Sequence, residues 1–228
     1  MNVSQALGIR NAIGTACSIA LAVLLGPAGA YGQGFEITPL VGGRFGGTMK
    51  LEQAGLPNSE AHLADSISFG LAGGYRFNGE GGEGYDVVEF RWLRQNSHLA
   101  LSQATLAPTP YASGSFRPSL SLDHFLGDIS HEFNVQDAPA IQPFVRVSLG
   151  AALLSTPASN ATRFTFGIAT GMKVFPSAHW GFRVEAEYLP ILMHTGLQSL
   201  VCAGGCVVIL NGGLMNQFQV SIGPSYRF

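Results

Sequence analysis

The chain has 228 residues, of which 46% are apolar, only 11% are charged and 30 are glycine, and its formal net charge is -2. Soluble globules carry about a quarter charged residues, and here the twelve basic residues are scattered singly, which speaks against a nucleic-acid footprint and against a polybasic membrane-surface segment. The length suits one domain with a sizeable core.

Residues 1–30 read as a secretory signal peptide. Arg10 lies in the n-region, an apolar stretch runs from Ala12 to Leu25, and the small-residue site Ala28-Gly29-Ala30 precedes Tyr31. Cleavage is expected after Ala30, leaving residues 31–228 as one mature domain. As a transmembrane anchor the stretch is too short, since a crossing helix needs about 20 apolar residues. Cys17 sits inside the apolar run rather than just past it, where a lipidation site would place it. No later segment has 18 consecutive apolar residues, so any crossing in the mature chain falls to strands.

Eight runs follow with the period of two that marks a strand. In the first, Phe35, Ile37, Val41 and Phe45 alternate with Glu36, Thr38, Gly42 and Arg44, and Pro39 interrupts the run as at an edge or bulge. In the second, Ile67, Phe69, Leu71, Tyr75 and Phe77 oppose Ser66, Ser68, Gly70, Ala72, Gly74 and Arg76. Tyr85 to Leu101 and Leu120 to Phe133 are the third and fourth, and neither keeps one phase. Leu120 and Leu122 disagree with Ile129 and Phe133, and a β-bulge near His124 would reconcile them. The fifth sets Ile141, Val145, Val147, Leu149, Ala151 and Leu153 against Arg146, Ser148 and Gly150. The sixth sets Phe164, Phe166, Ile168, Met172 and Val174 against Arg163, Thr165, Gly167, Ala169, Gly171 and Lys173. The seventh sets Trp180, Phe182, Val184, Ala186, Tyr188 and Leu192 against Arg183, Glu185 and Glu187. The last sets Phe218, Val220, Ile222, Tyr226 and Phe228 against Gln217, Gln219, Ser221, Ser225 and Arg227.

The links between runs alternate in length. Thr48 to Asp65, Gln103 to Pro118 and Thr195 to Met215 are long, and only Ser155 to Ala161 breaks the rule. Membrane barrels of bacteria pair short inner turns with long outer loops, so both ends of the mature chain are expected on the periplasmic side. Phe35, Tyr75, Phe77, Tyr85, Phe133, Phe144, Phe175, Trp180, Tyr226 and Phe228 gather near the same strand ends and read as an interfacial girdle. Periodicity alone also permits a soluble barrel with an apolar lumen. Scarce charge, large apolar residues on one face and Gly, Ala and Ser on the other favour lipid outside. Glu36, Arg44, Arg76, Arg146, Arg163, Lys173, Arg183, Glu185, Glu187 and Arg227 are then expected in the lumen, with Glu89, Arg91, Asp128 and Glu132 beside them. Opposite charges there should pair, because an unpaired buried ion costs several kcal/mol or so.

From Phe35 to Phe228 the chain resembles the OmpA/OmpX-like eight-stranded outer-membrane proteins. The opening Phe35-Glu36-Ile37-Thr38-Pro39, Gly73-Gly74-Tyr75-Arg76-Phe77 and the closing Gly223-Pro224-Ser225-Tyr226-Arg227-Phe228 carry the likeness. The resemblance implies an all-β, eight-stranded antiparallel up-and-down transmembrane barrel in the bacterial outer membrane, without a peptidoglycan-binding domain. It also implies that Phe228 is the signal read by the barrel-assembly machinery, and that outer-membrane lipids and lipopolysaccharide surround the protein.

Chemistry-bearing motifs are few. Cys202 and Cys206, separated by Ala203-Gly204-Gly205, are expected to form a disulfide in an oxidising compartment, whereas with the distant His194 they make a poor zinc set. No metal or cofactor is expected. Lipid A-modifying catalysis would need a nucleophile within reach of a base. None of His62, His98, His124, His131, His179 and His194 forms a His-x-Ser pair on one strand face. His98 with Ser97 or Ser102, and His194 with Ser199, remain the candidates. The leading expectation is a structural or surface-interaction barrel working through its outer loops. A small pore or ligand-binding barrel is the alternative, and an enzyme the third.

Overall fold

The computed structural model describes residues 34–52, 59–78, 84–101, 119–156, 160–193, 199–201, 207–210 and 213–228. The expected signal peptide and the Cys202–Cys206 pair lie outside the described residues. The strands in chain order are β1 (Gly34–Gly46), β2 (Thr48–Glu52), β3 (Ser59–Leu63), β4 (Ser66–Asn78), β5 (Gly84–Leu101), β6 (Ser119–Phe133) and β7 (Ile141–Ser155). They continue with β8 (Asn160–Val174), β9 (Trp180–Tyr188), β10 (Ile191–Met193), β11 (Ser199–Val201), β12 (Val207–Leu210), β13 (Gly213–Met215) and β14 (Gln217–Arg227).

A closed antiparallel circuit runs β1, β4, β5, β6, β7, β8, β9, β14 and back to β1, which makes eight strands. One row of partners, Arg44, Gln219, Glu187, Ala169, Arg146, Ser130, Val87, Arg76 and Gly34, circles the barrel and meets β1 again ten residues from its start. A stagger of that size on eight strands tilts them by about 40° and leaves a lumen just wide enough to be filled by side chains. Gly34 and Phe228 mark the lower end; Gly47 and the strand ends near His98 and Ser155 mark the upper.

In two places among the described residues the regular pairing of the wall lapses, and a proline stands at each. Pro39 and Pro224 face each other across the closing seam, and the pairing of β1 with β14 lapses between Ile37↔Tyr226 and Val41↔Ile222. Neither proline has an N–H to give. Instead the Thr38 and Ser225 hydroxyls meet inside at 2.7 Å, and a side chain at Gly223 would run into the Pro39 carbonyl oxygen. Pro190 likewise splits the seventh strand into β9 and β10, its carbonyl accepting from Thr165 Oγ1 at 2.9 Å.

The first and last of the long upper links carry strands of their own. β2 and β3 form a hairpin that pairs with β5 and, through β12, with β11, so the barrel wall continues upward as a smaller sheet. Gly46 and Gly47, at φ +85° and +104°, let the chain turn from β1 into β2, conformations open to glycine at little steric cost.

Side chains sort as the alternation predicts. Ile67, Phe90, Ile129, Leu149, Ile168 and Phe218 face outward and exposed. The expected bulge near His124 is absent: β6 keeps one strict alternation, and its registers with β5 and β7 run without a break. Leu120 and Leu122 simply point inward, because the inner surface changes from polar to apolar partway up. The girdle also needs correction. Phe144 is buried in the lumen, Phe175 is buried under Arg227, and Tyr85 lies beneath Arg76. Tyr226 with Trp180 and Phe228, and Phe35 with Tyr75, remain as packed rings at the lower rim.

Candidate functional site: the lumen

The lower lumen holds two joined layers of ions. At the mouth, Lys173 Nζ lies 2.6 Å from both Glu36 Oε1 and Glu132 Oε1. Arg76 Nε reaches Glu132 at 3.1 Å, and Arg227 reaches Glu36 at 3.0 Å and Gln142 at 3.3 Å. Above them Arg91, wholly buried, donates to Asp128 at 2.9 Å, to Glu187 at 2.6 and 2.7 Å, and to Glu185 and Ser148 at 3.2 Å. Arg146 donates to Glu185 at 2.7 Å, and Arg183 holds Glu89 by two bonds at 2.7 and 3.0 Å and Glu185 by one at 2.7 Å. Forked guanidinium–carboxylate bonds of this kind are directional and strong. Buried charges are tolerated only when so compensated. The Phe144 ring, 5.1 Å from the Arg183 guanidinium carbon and 5.9 Å from the Lys173 ammonium, fills the space between the layers.

The next tier is polar without carboxylates. Arg44 is fully buried, its Nε and Nη2 both donate to Gln219 Oε1, and Nη1 lies 3.0 Å from His124 Nδ1. Because that nitrogen accepts, the ring proton sits on Nε2, which is buried without a hydrogen-bond partner. The His124 ring is thus bonded through one nitrogen only. Gln95 and Gln217 are bonded at 3.2 Å nearby.

Two groups of apolar side chains complete the interior. Leu40, Ala72, Leu93, Leu126 and Leu189 line the middle. Leu63, Leu120, Leu122, Ala152, Leu154, Ile191, Met193 and Met215 close the top. Alternation could place these residues inward, but it could not show that they would meet, because the top group alone comes from five strands, β3, β6, β7, β10 and β13, and is collected by the stagger. Arg163, expected with the lumenal ions, stands at the upper end half-buried, donating to the Thr162 carbonyl at 3.0 Å.

Of the catalytic candidates, Ser97 and His98 separate. Ser97 points inward and donates to the Ala64 carbonyl at 2.5 Å, while His98 points outward. Ser102 and His194 lie outside the described residues. On the outer wall, His131 Nδ1 lies 2.7 Å from Asp86 Oδ1 near the lower rim. Nearer the upper rim, Trp92 donates to Asp123 at 3.1 Å beside Arg94, 3.7 Å away. His179 lies in the last lower turn, its Nδ1 2.9 Å from the Arg227 carbonyl.

Among solved structures, the outer membrane protein OprG from Pseudomonas aeruginosa is similar at 12% identity, with a TM-score of 0.60 over 86% of this chain and 96% of that one. Neisserial surface protein A is 15% identical with a TM-score of 0.47, over 85% of this chain and 97% of that one. At such identity the likeness to OprG is one of fold. No curated protein matches the sequence. The family model of the outer membrane protein beta-barrel domain matches residues 18–228, and the chain belongs to that family of the bacterial outer membrane.

Proposed function

We propose that the protein is a sealed outer-membrane barrel whose work is done at its upper end, where the β2–β3 hairpin and the adjoining strands contact envelope components or external partners. One observation carries this reading: the lumen is filled from bottom to top. Arg91, Arg146, Arg183 and Lys173 are among the largest wholly buried side chains, and Leu122, Ile191 and Met215 cap them. Water and ions would need a continuous polar path, and the apolar cap interrupts it. With a closed interior, the parts left to meet a partner are the rim and its links, where scaffolds of this kind place function.

The test is conductance of the purified, folded barrel in planar bilayers. The expected result is no unitary current, in the parent and in a Leu122→Ser variant alike. Steady unitary currents from the parent would overturn the sealed reading and make the barrel a small pore.

A further inference from the structure

Alternation of inward and outward side chains continues where the β2–β3 hairpin joins the wall. On β3, Leu63 enters the apolar cap and His62 is exposed; on β5, Ser97 is buried and His98 is exposed. The two strands pair as Leu63↔Leu99 and His62↔Ala100, and the Ala64 amide donates to the His98 carbonyl at 2.9 Å. His62 and His98 are therefore diagonal neighbours on one outward face. Residues so placed stand about 7–8 Å apart, within reach of aromatic and long side chains. The other diagonal of the square is Ala64 and Ala100, so no bulky residue occupies the remaining corners.

Neutral imidazole is the commonest metal ligand among side chains, and both rings are free to act as one. His62 Nδ1 lies 3.0 Å from Thr48 Oγ1. With Nδ1–H donating to that hydroxyl, the Nε2 lone pair is left for an ion, as in the outer-shell bonds that orient metal-bound histidines. The His98 ring has no hydrogen bond or ion pair among the described residues. His124 is buried in the lumen, His131 is held by Asp86, and His179 by the Arg227 carbonyl. No third His, Cys, Asp or Glu joins the pair among the described residues, so a bound ion keeps water in its other positions. That open set of nitrogen and oxygen donors suits copper(II) and nickel(II) better than zinc in a closed tetrahedron, and copper(II) heads the affinity order for such ligands. No ligand spacing announces the pair in the sequence, because the two histidines are far apart in the chain and only strand register brings them together.

We propose that His62 of β3 and His98 of β5 form a two-imidazole site on the outward face of the upper rim that binds a divalent transition-metal ion, copper(II) most tightly. Reading the upper end as the cell exterior decides only where the ion comes from. Binding itself requires neither that reading nor a sealed lumen.

The folded protein in detergent micelles, in a weakly coordinating buffer, is titrated with copper(II) chloride and followed by calorimetry and electron paramagnetic resonance. One saturable site is expected, with hyperfine structure from two imidazole nitrogens. His62→Ala and His98→Ala should each weaken its midpoint at least tenfold, whereas His179→Ala, at the opposite rim, leaves it unchanged. The heat-dependent gel shift of a folded barrel should persist in all three, and a glutamine variant replaces any alanine variant that loses it. Absence of the two-imidazole signal in the parent, a loss smaller than tenfold in either folded variant of His62 or His98, or an equal loss in His179→Ala would overturn the assignment. Currents in the bilayer experiment would overturn the sealed lumen and leave this result untouched.

Discussion

The lower and upper halves of the lumen solve the same packing problem with opposite chemistry. Below, long charged side chains span a narrow tube and each carboxylate meets more than one cation; Glu185 alone meets Arg91, Arg146 and Arg183. Above, Leu, Ile and Met fill the space by shape. The lower solution depends on completeness, since a buried ion that loses its partner is left with its desolvation penalty. The upper solution degrades gradually, because each methylene lost removes only its own contacts and leaves a cavity.

Arg91→Met should break the comparison most sharply. It strips Asp128 and Glu187 of their main partner and is expected to destabilise the barrel by about 3–5 kcal/mol, the range for breaking a buried pair. Urea unfolding in lipid vesicles measures it, and a loss below about 1 kcal/mol would mean that water enters the lower lumen. Leu122→Ala in the cap is expected to cost about 3 kcal/mol, within the range for buried leucines. Adding the two changes together should give a near-additive loss, since separate sites with no shared partners act independently. Thr38→Val is the smallest, about 1 kcal/mol for one buried hydroxyl bond at the seam, read by the same unfolding curves.

Much of the wall was legible from alternation, because inside and outside differ in every strand by a shift of one residue. β14 and β8 announce their two faces from Phe218 and Phe164 onward. The interior was legible only in part. Arg91 and Glu187 are 96 positions apart, and the stagger that brings them together belongs to the closed barrel rather than to either strand. The phase conflict within β6, where Leu120 and Leu122 disagree with Ile129 and Phe133, is a local sign of the apolar cap. A bulge explains that conflict only for a lumen that is polar throughout, and this one is not. Phe144 misled for a related reason: an aromatic near a strand end belongs to the girdle or to the lumen according to parity, and its parity is that of Arg146.

The closing seam has a consequence of its own. Where Pro39 faces Pro224 the first and last strands are held by a hydroxyl bridge instead of a run of amide bonds. Separating them there breaks little, so a thermally agitated cylinder should begin to unzip along this line. A chain made from its amino end must hold β1 unpaired on that edge until β14 arrives, and the paired prolines leave that waiting edge with fewer backbone groups to offer to a stray strand.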